Sequence, residues 1–468
     1  MGRFNTLIIG AGFSGLAAGI RLARFGVPVC ILERHATIGG LNSFYRLRGR
    51  NFDVGLHAVT NYQPKERAKS GPLGRVLRQL RLRYEDFALA PQRVSRIDFP
   101  ECSLRFSNDS ALLEESIARM FPREIDGFRR LCAFVDAQEW GRPVDGCSTA
   151  RQLLARHIAD PLLAEMLLCP VMYYGSATPR DMPAAAFVVL FRSIFREGLA
   201  RPHEGVRRLL KHLVRQYKAL GGQLRLRAGV SRVLSRQGRA AGVRLDSGEE
   251  IACDTILSSA GLVETRALCD PAAWKEEPGQ GCAAGELTFF ESVLVLDAAP
   301  ADLGFEETII FFCNSPQFHY ENPNEPCDLR SGIVCTPNNF AYDRPLREGM
   351  LRITALANKD YWMNLPPEQY ACDKAHWHAR LVEASAARLG QLPARAIDVD
   401  TFTPRTIRHY TGHVNGAVYG SAEKRWNGTT GIERLFLCGT DQGYLGIIGA
   451  MLSGISMANR HVLMAAEA

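Results

Sequence analysis

The 468-residue chain predicts the α/β fold class: a Rossmann-like dinucleotide-binding domain combined with a second domain of mixed α+β type. Three observations carry this. A glycine-rich turn, Gly10-Ala11-Gly12-Phe13-Ser14-Gly15, separates an apolar run at 7–9 from a stretch at 16–25 with helical apolar spacing. A second apolar run at 27–32 ends on Glu33-Arg34. Between 283 and 407 the chain turns β-rich, with more strands than the first domain's own sheet requires.

In the first unit the run at 7–9 reads as a buried parallel strand, so the glycines fall in the strand-to-helix turn, where a G-x-G-x-x-G fingerprint has a physical meaning. Gly10 permits the tight turn, Gly12 lets a pyrophosphate approach the backbone, and Gly15 lets helix and strand pack closely. The helix start, with Phe13 and Ser14, offers N–H groups to the phosphates. Glu33, at the end of the second strand, is placed to accept hydrogen bonds from ribose hydroxyls, with Arg34 beside it.

The residues just beyond the acid narrow the dinucleotide. In Ala36-Thr37-Ile38-Gly39-Gly40-Leu41-Asn42 the adjacent glycines resemble the second glycine pair of the flavin-binding amine oxidase and phytoene desaturase superfamily, which implies FAD in place of NAD. By residue type alone, Gly39-Gly40 reads equally as a loop. Phe52-Asp53-Val54-Gly55-Leu56-His57 resembles the F-D-x-G-x-H stretch of the carotenoid isomerase and retinol saturase branch. His57 is the titratable candidate near the cofactor, either catalytic or a structural histidine satisfied by backbone.

Composition removes several function classes. With 46% hydrophobic residues the chain can build two or three domains, and no run reaches eighteen apolar residues. The first strand begins near Phe4, so no secretory leader is expected, and a cytoplasmic protein, with peripheral membrane contact as an added option, is the expectation. Thirteen cysteines without C-x-x-C pairs, among them Cys30, Cys169 and Cys438 in apolar runs, point to buried thiols. The +7 charge gathers at Arg75, Arg78, Arg81 and Arg83 and at Arg207, Arg208, Lys211, Arg215 and Lys218; neither cluster interleaves aromatics, so both read as solvated helix faces and nucleic acid is not expected. His376 and His378 lie two apart on a helix and face different ways, so no metal is expected.

Further along, a helix is expected at 73–82 and mainly helical structure to 201. That part holds the apolar segments 162–174 and 183–195, which read as a lipophilic chamber, a membrane-contacting surface or ordinary core helices. A helix is predicted from 206 to 220, stopped by Gly221-Gly222, and short strands come next at 224, 230–234, 243–245 and 256–257. These resemble the superfamily's second flavin-binding stretch, in which Val230 sets its backbone against the adenine and Ser259-Ala260-Gly261 forms a small-residue loop close to the cofactor. Strands at 289–296, 308–312, 332–335 and 350–357, interrupted beyond the last by a helix at 367–389, read as an antiparallel sheet flooring a substrate cavity.

Thr403-Pro404-Arg405-Thr406 and Gly416-Ala417-Val418-Tyr419-Gly420 resemble the T-P-x-T and G-x-x-Y-G pair of the retinol saturase and carotenoid isomerase enzymes. The strand at 435–437 leads through Cys438 into Gly439-Thr440-Asp441, which resembles the superfamily's C-terminal flavin motif, with Asp441 accepting from the ribityl chain or approaching the pyrophosphate. Gly446, Ile447, Ile448 and Gly449 open a helix whose N-terminus the resemblance aims at the flavin ring.

These readings divide the chain into FAD-binding segments 1–72, 202–282 and 425–468, a helical substrate part 73–201 and a substrate sheet 283–424. The resemblance implies an FAD-dependent oxidoreductase that desaturates, saturates or isomerises a carotenoid, retinoid or other apolar isoprenoid by hydride transfer with flavin N5. A flavin amine oxidase and a non-catalytic lipid carrier on a related fold are the rivals.

Overall fold

The computed structural model describes residues 4–139, 143–275 and 281–466. Two seven-stranded sheets organise it. The first runs in the order Val230–Arg236, Arg239–Leu245, Glu250–Ser258, Phe4–Ile9, Val29–Leu32, Gln223–Arg225, with Leu435–Leu437 paired to Glu250–Ser258. Its centre is parallel: Thr6 lies opposite both Val29 and Thr255, and Ile256 opposite Leu435. Such strands are covered on both faces, which is why they read as unbroken apolar runs. Strands from the start, middle and end of the chain therefore meet in one sheet.

Helix Phe13–Ala23 comes directly after the glycine turn and is buried along almost its whole length. It packs against helix Gly446–Ala458 at very short range: a Cβ on Gly454 would stand 2.0 Å from the Ser14 carbonyl oxygen. Small residues in the last helix thus let two backbones approach. Helix Val206–Ala219 lies on the same layer, with Leu209, Leu210, Leu213 and Tyr217 inward and its basic residues outward.

The second sheet has the order Ala396–Phe402, Thr288–Leu296, Gly349–Ala357, Ser331–Cys335, Ile309–Cys313, Ser95–Phe99, Cys102–Phe106. Two expectations change here. The part read as helical contains a hairpin, Ser95–Phe99 with Cys102–Phe106, which extends this sheet. The hairpin joins Ile309–Cys313 in parallel, so the sheet is mixed and not wholly antiparallel. The hairpin does alternate, with Ile97, Phe99, Leu104 and Phe106 buried on one face and Arg96 paired with Asp98 on the other, but each strand is only five residues long and lies next to helices, so the alternation is a short signal in a mainly helical part.

Along Thr288–Leu296 successive side chains leave opposite faces. Phe290 and Leu294 meet Trp377 and Leu381 of helix Pro367–Leu389, whereas Phe289 joins the core shared with helices Pro161–Tyr173 and Ala184–Phe191. Glu291 stands two residues beyond Phe289 and emerges on the same face, toward the interior cavity. No disulfide joins any of the thirteen cysteines. Among the described residues no helix is long and apolar enough to cross a membrane.

Candidate active site

A cavity of about 310 Å³ runs between the two sheets, from Glu33 and Val230 at one end to His57, Tyr174 and Glu291 at the other. The two glycine motifs share one wall. Gly12 and Gly39 form an isolated bridge, and the Gly39 N–H donates to the Ala11 carbonyl at 3.0 Å. A Cβ on Gly12 would find its nearest neighbour at 3.9 Å, the Gly39 oxygen, and one on Gly40 the Gly12 Cα at 3.9 Å. Both positions therefore front open space. Gly12 caps helix Phe13–Ala23 without any side-chain hydrogen bond, which leaves the helix's first N–H groups for an anionic group.

Glu33 is buried, and both its oxygens accept backbone hydrogen bonds, Oε2 from Ala11 N at 2.8 Å and Oε1 from His35 N at 2.9 Å. It fastens the glycine turn to the end of the second strand and still borders the cavity, with lone pairs to spare for ribose hydroxyls. Open space over a helix N-terminus, next to a buried carboxylate, is the donor and acceptor set that a dinucleotide requires.

The residues singled out in the sequence fall into two groups. Gly10, Gly12, Phe13, Ser14, Glu33, Arg34, Gly39, Gly40, Leu41, Asn42 and His57 border the cavity, as do Val230, Ser259, Ala260, Gly439, Gly446 and Ile447. The others stand away from it. Gly15 lies behind the turn, where a Cβ would come within 2.1 Å of the Gly10 carbonyl oxygen. Gly261 turns away to start helix Leu262–Ala267 at φ +106°. Ile448 is fully buried in the helical core, and Gly449 borders a separate small groove beneath Tyr444.

Asp441 needs correction. Its carboxylate is buried away from the cavity: Oδ2 accepts from Leu262 N at 2.7 Å, and Oδ1 from Ser421 N at 2.9 Å and from Lys424 Nζ at 3.3 Å. It ties three chain segments together, while its neighbour Thr440 borders the cavity. Asp441→Ala is therefore expected to destabilise the protein by about 3–5 kcal/mol, because the buried Lys424 ammonium loses its counter-charge. A thermal melt with flavin content checks this; loss of flavin at an unchanged midpoint would restore the ribityl role.

Among the readings left open for the apolar segments, the core one describes most of their length. Of 162–174 and 183–195, only Tyr173 and Tyr174 border the main cavity. Phe191 is a fully buried core residue against Phe187 and Phe195, and Ala186, Val189 and Leu190 line the small groove. His378 is occupied by Ser292, its Nδ1 lying 3.0 Å from Oγ. Among the described residues no group of three His, Cys, Asp or Glu side chains could hold a metal.

At the far end, Tyr173, Tyr174, Phe289, Ile333, Val418 and Tyr419 form an aromatic and aliphatic enclosure. Into it the second sheet brings Glu291 and Thr354, which sequence reasoning missed. His57 Nε2 lies 2.9 Å from Thr354 Oγ1 and 3.4 Å from Glu291 Oε1. Arg352, fully buried, donates through Nε to the same Glu291 oxygen at 2.6 Å and through Nη1 to the Asp53 carbonyl at 3.1 Å. Arg201 pairs with Asp53 Oδ2 at 2.6 Å and holds the Leu56 and His57 carbonyls. Two buried cations thus meet two carboxylates around His57.

Burial alone would raise the Glu291 carboxyl, but Arg352 and His57 outweigh it and hold it down at about 2. Burial pushes the His57 imidazole below its ordinary value, against the pull of Glu291. At neutral pH the enclosure therefore presents a neutral imidazole beside a carboxylate.

The comparisons with known proteins agree with this geometry. The sequence profile described as "Flavin containing amine oxidoreductase" matches residues 13–278. The chain is 27% identical over 295 residues to the phytoene desaturase (lycopene-forming) of Pseudescherichia vulneris, a match covering 56% of each protein. It is 23% identical over 507 residues to the chloroplastic prolycopene isomerase of Arabidopsis thaliana, covering 98% of this chain and 82% of that one. An oxidoreductase from Methanosarcina mazei has the same fold, with a TM-score of 0.67, 16% identity, and coverage of 96% of this chain and 99% of that one. With more than half its length matched and a dinucleotide cradle in place, the chain belongs to the flavin containing amine oxidoreductase family, and its cofactor is FAD.

Proposed function

We propose that the protein is an FAD-dependent oxidoreductase that desaturates, saturates or isomerises a polyene or other isoprenoid lipid. The observation that carries this reading is the enclosure at the end of the cofactor cavity, walled by Phe289, Ile333, Val418 and three tyrosines. Burying an apolar chain there gains about 25 cal/mol per Å² removed from water, so hydrocarbon is held without a polar handle. The glycine cradle, the helix N-terminus of Phe13–Ala23 and Glu33 would hold the pyrophosphate and ribose, and Gly446 and Ile447 the ring end. Bound there, the flavin supplies two-electron acceptance or donation at carbon. The chain's own share is to exclude water, orient the polyene and manage the proton.

Peripheral contact with a membrane belongs to the same reading. The small groove shares Leu445 with the main cavity, carries the half-exposed Trp426, and begins at Pro72, the first residue of helix Pro72–Leu80. That helix shows Arg75 and Arg78 to solvent, which suits an anionic lipid surface as the source of an insoluble substrate. One observation favours a second reading: an ionised Glu291 within a ring of tyrosines would also receive an ammonium group, as an amine oxidase requires. Mass spectrometry of the organic extract from freshly purified protein separates the two. Enriched polyene or isoprenoid is the expected result; an extract without isoprenoids, together with flavin bleaching by simple amines, would contradict it.

A further inference from the structure

We propose that His57 and Glu291 form the acid–base pair of the site, with His57 Nδ1 as the atom that takes or gives the substrate proton and Glu291 as the positioning residue that fixes the imidazole. The inference rests on the polyene reading above and adds the proton to it. Removing hydrogen from a saturated carbon pair needs two different departures. One C–H bond breaks and its hydrogen leaves with the electron pair to the oxidised flavin. The neighbouring C–H bond leaves its electron pair behind as the new C=C, and its proton needs a base. Saturation runs the same steps backwards from reduced flavin.

The geometry selects the atom. An ionised Glu291 can only accept, and its oxygen lies 3.4 Å from His57 Nε2, so Nε2 carries the imidazole proton and shares it between Glu291 and Thr354 Oγ1. Nδ1 is then the basic nitrogen. It has no hydrogen bond to the described residues, and it is not among the sealed, unpartnered polar atoms, so it opens on the cavity that His57 lines. Glu291 has the same one-sided arrangement: its contacts with Arg352 and His57 both fall on Oε1. When Nδ1 takes the proton, the imidazolium finds a carboxylate on its opposite nitrogen, the arrangement by which an acid residue orients and stabilises a catalytic histidine.

The surroundings keep this pair in balance. Arg352 and Arg201 both disfavour a charged imidazole, Glu291 favours it, and the Tyr174 ring, 6.5 Å from the His57 ring, adds no charge. Asp53 neutralises Arg201 from the far side. The imidazole is thus held neutral while a single carboxylate makes its protonation reachable. An apolar substrate brings no base of its own, and Glu291, held at about 2, is a weaker base than the imidazole.

Nitrogen-15 NMR of histidine-labelled, flavin-loaded protein tests the assignment. In the wild type, Nε2 is expected to be the protonated nitrogen and Nδ1 the bare one; the opposite tautomer overturns the proposal without any mutation. In Glu291→Gln the proton affinity of His57 is expected to fall about tenfold or more, since the favourable charge is gone. The acid limb of kcat/KM for polyene desaturation should then move to lower pH by the same amount while kcat falls. A folded Glu291→Gln protein with an unmoved His57 titration contradicts the pairing. His57→Gln leaves the Glu291–Arg352 pair intact and should lower turnover by about 10²–10⁴-fold with flavin retained; full turnover would contradict the base. A wild type that leaves every polyene unchanged, yet shows the assigned tautomer and the Glu291→Gln shift, sinks the polyene reading and leaves the pair standing.

Discussion

Gly12→Val is expected to give folded, colourless protein, whereas Gly15→Val is expected not to fold. The two glycines belong to one motif but face opposite ways. Gly12 has extended backbone, φ −73° and ψ −179°, that any residue adopts, and a Cβ there enters open space with its nearest neighbour at 3.9 Å. A branched side chain would occupy the place where the pyrophosphate meets the helix N-terminus, so flavin occupancy should fall to a small fraction of the parent's. Gly15 has no such room. Its Cβ would lie 2.1 Å from the Gly10 carbonyl oxygen and 3.3 Å from Ile8 Cγ2, so the turn must open and the cost exceeds the usual 1–3 kcal/mol of overpacking. Circular dichroism with flavin absorbance separates the two; flavin retained in Gly12→Val would remove the cradle from its assigned place.

Arg201→Ala is expected to cost about 3–5 kcal/mol and to loosen the flavin as well. Arg201 is almost fully buried, pairs with Asp53, and anchors the carbonyls of Leu56 and His57. Removing it takes the ion pair from the Asp53 carboxylate, leaving the Val206 N–H hydrogen bond and the more distant Arg352 charge, and frees the loop that presents His57 to the cavity. Denaturant unfolding measures the loss. A stability within about 1 kcal/mol of the parent, below the expected range, would mean that the loop is held by other contacts.

Much of the cofactor end was legible in the sequence because its residues act through backbone. A strand, a glycine turn, a helix and an acid at fixed spacing leave few other ways to fold, and Gly10, Gly12 and Glu33 stand where that spacing put them. The reacting end was less legible because it is assembled by distant pairing. Glu291 sits in the run Phe289-Phe290-Glu291-Ser292-Val293, where one acid in an apolar strand gives no hint that Arg352 lies across the ladder from Val293, or that His57 approaches from the first domain. The Asp441 misassignment has the same cause. A carboxylate after a strand and a glycine reads as a ligand, but Leu262, Ser421 and Lys424 converge on it only in three dimensions. In the last helix Gly446 borders the cavity, whereas Gly454 serves contact with helix Phe13–Ala23.

The most direct test mixes flavin-loaded protein with an acyclic polyene under anaerobic conditions, once with the flavin oxidised and once with it reduced. The polyene is recovered after a single turnover and its double bonds are counted and their geometry assigned by chromatography. The expected result, in at least one of the two states, is a double bond gained or lost in an amount equal to the flavin, or changed in geometry with no net oxidation or reduction of the flavin. A polyene recovered unchanged from both, while a primary amine bleaches the oxidised flavin, would contradict it.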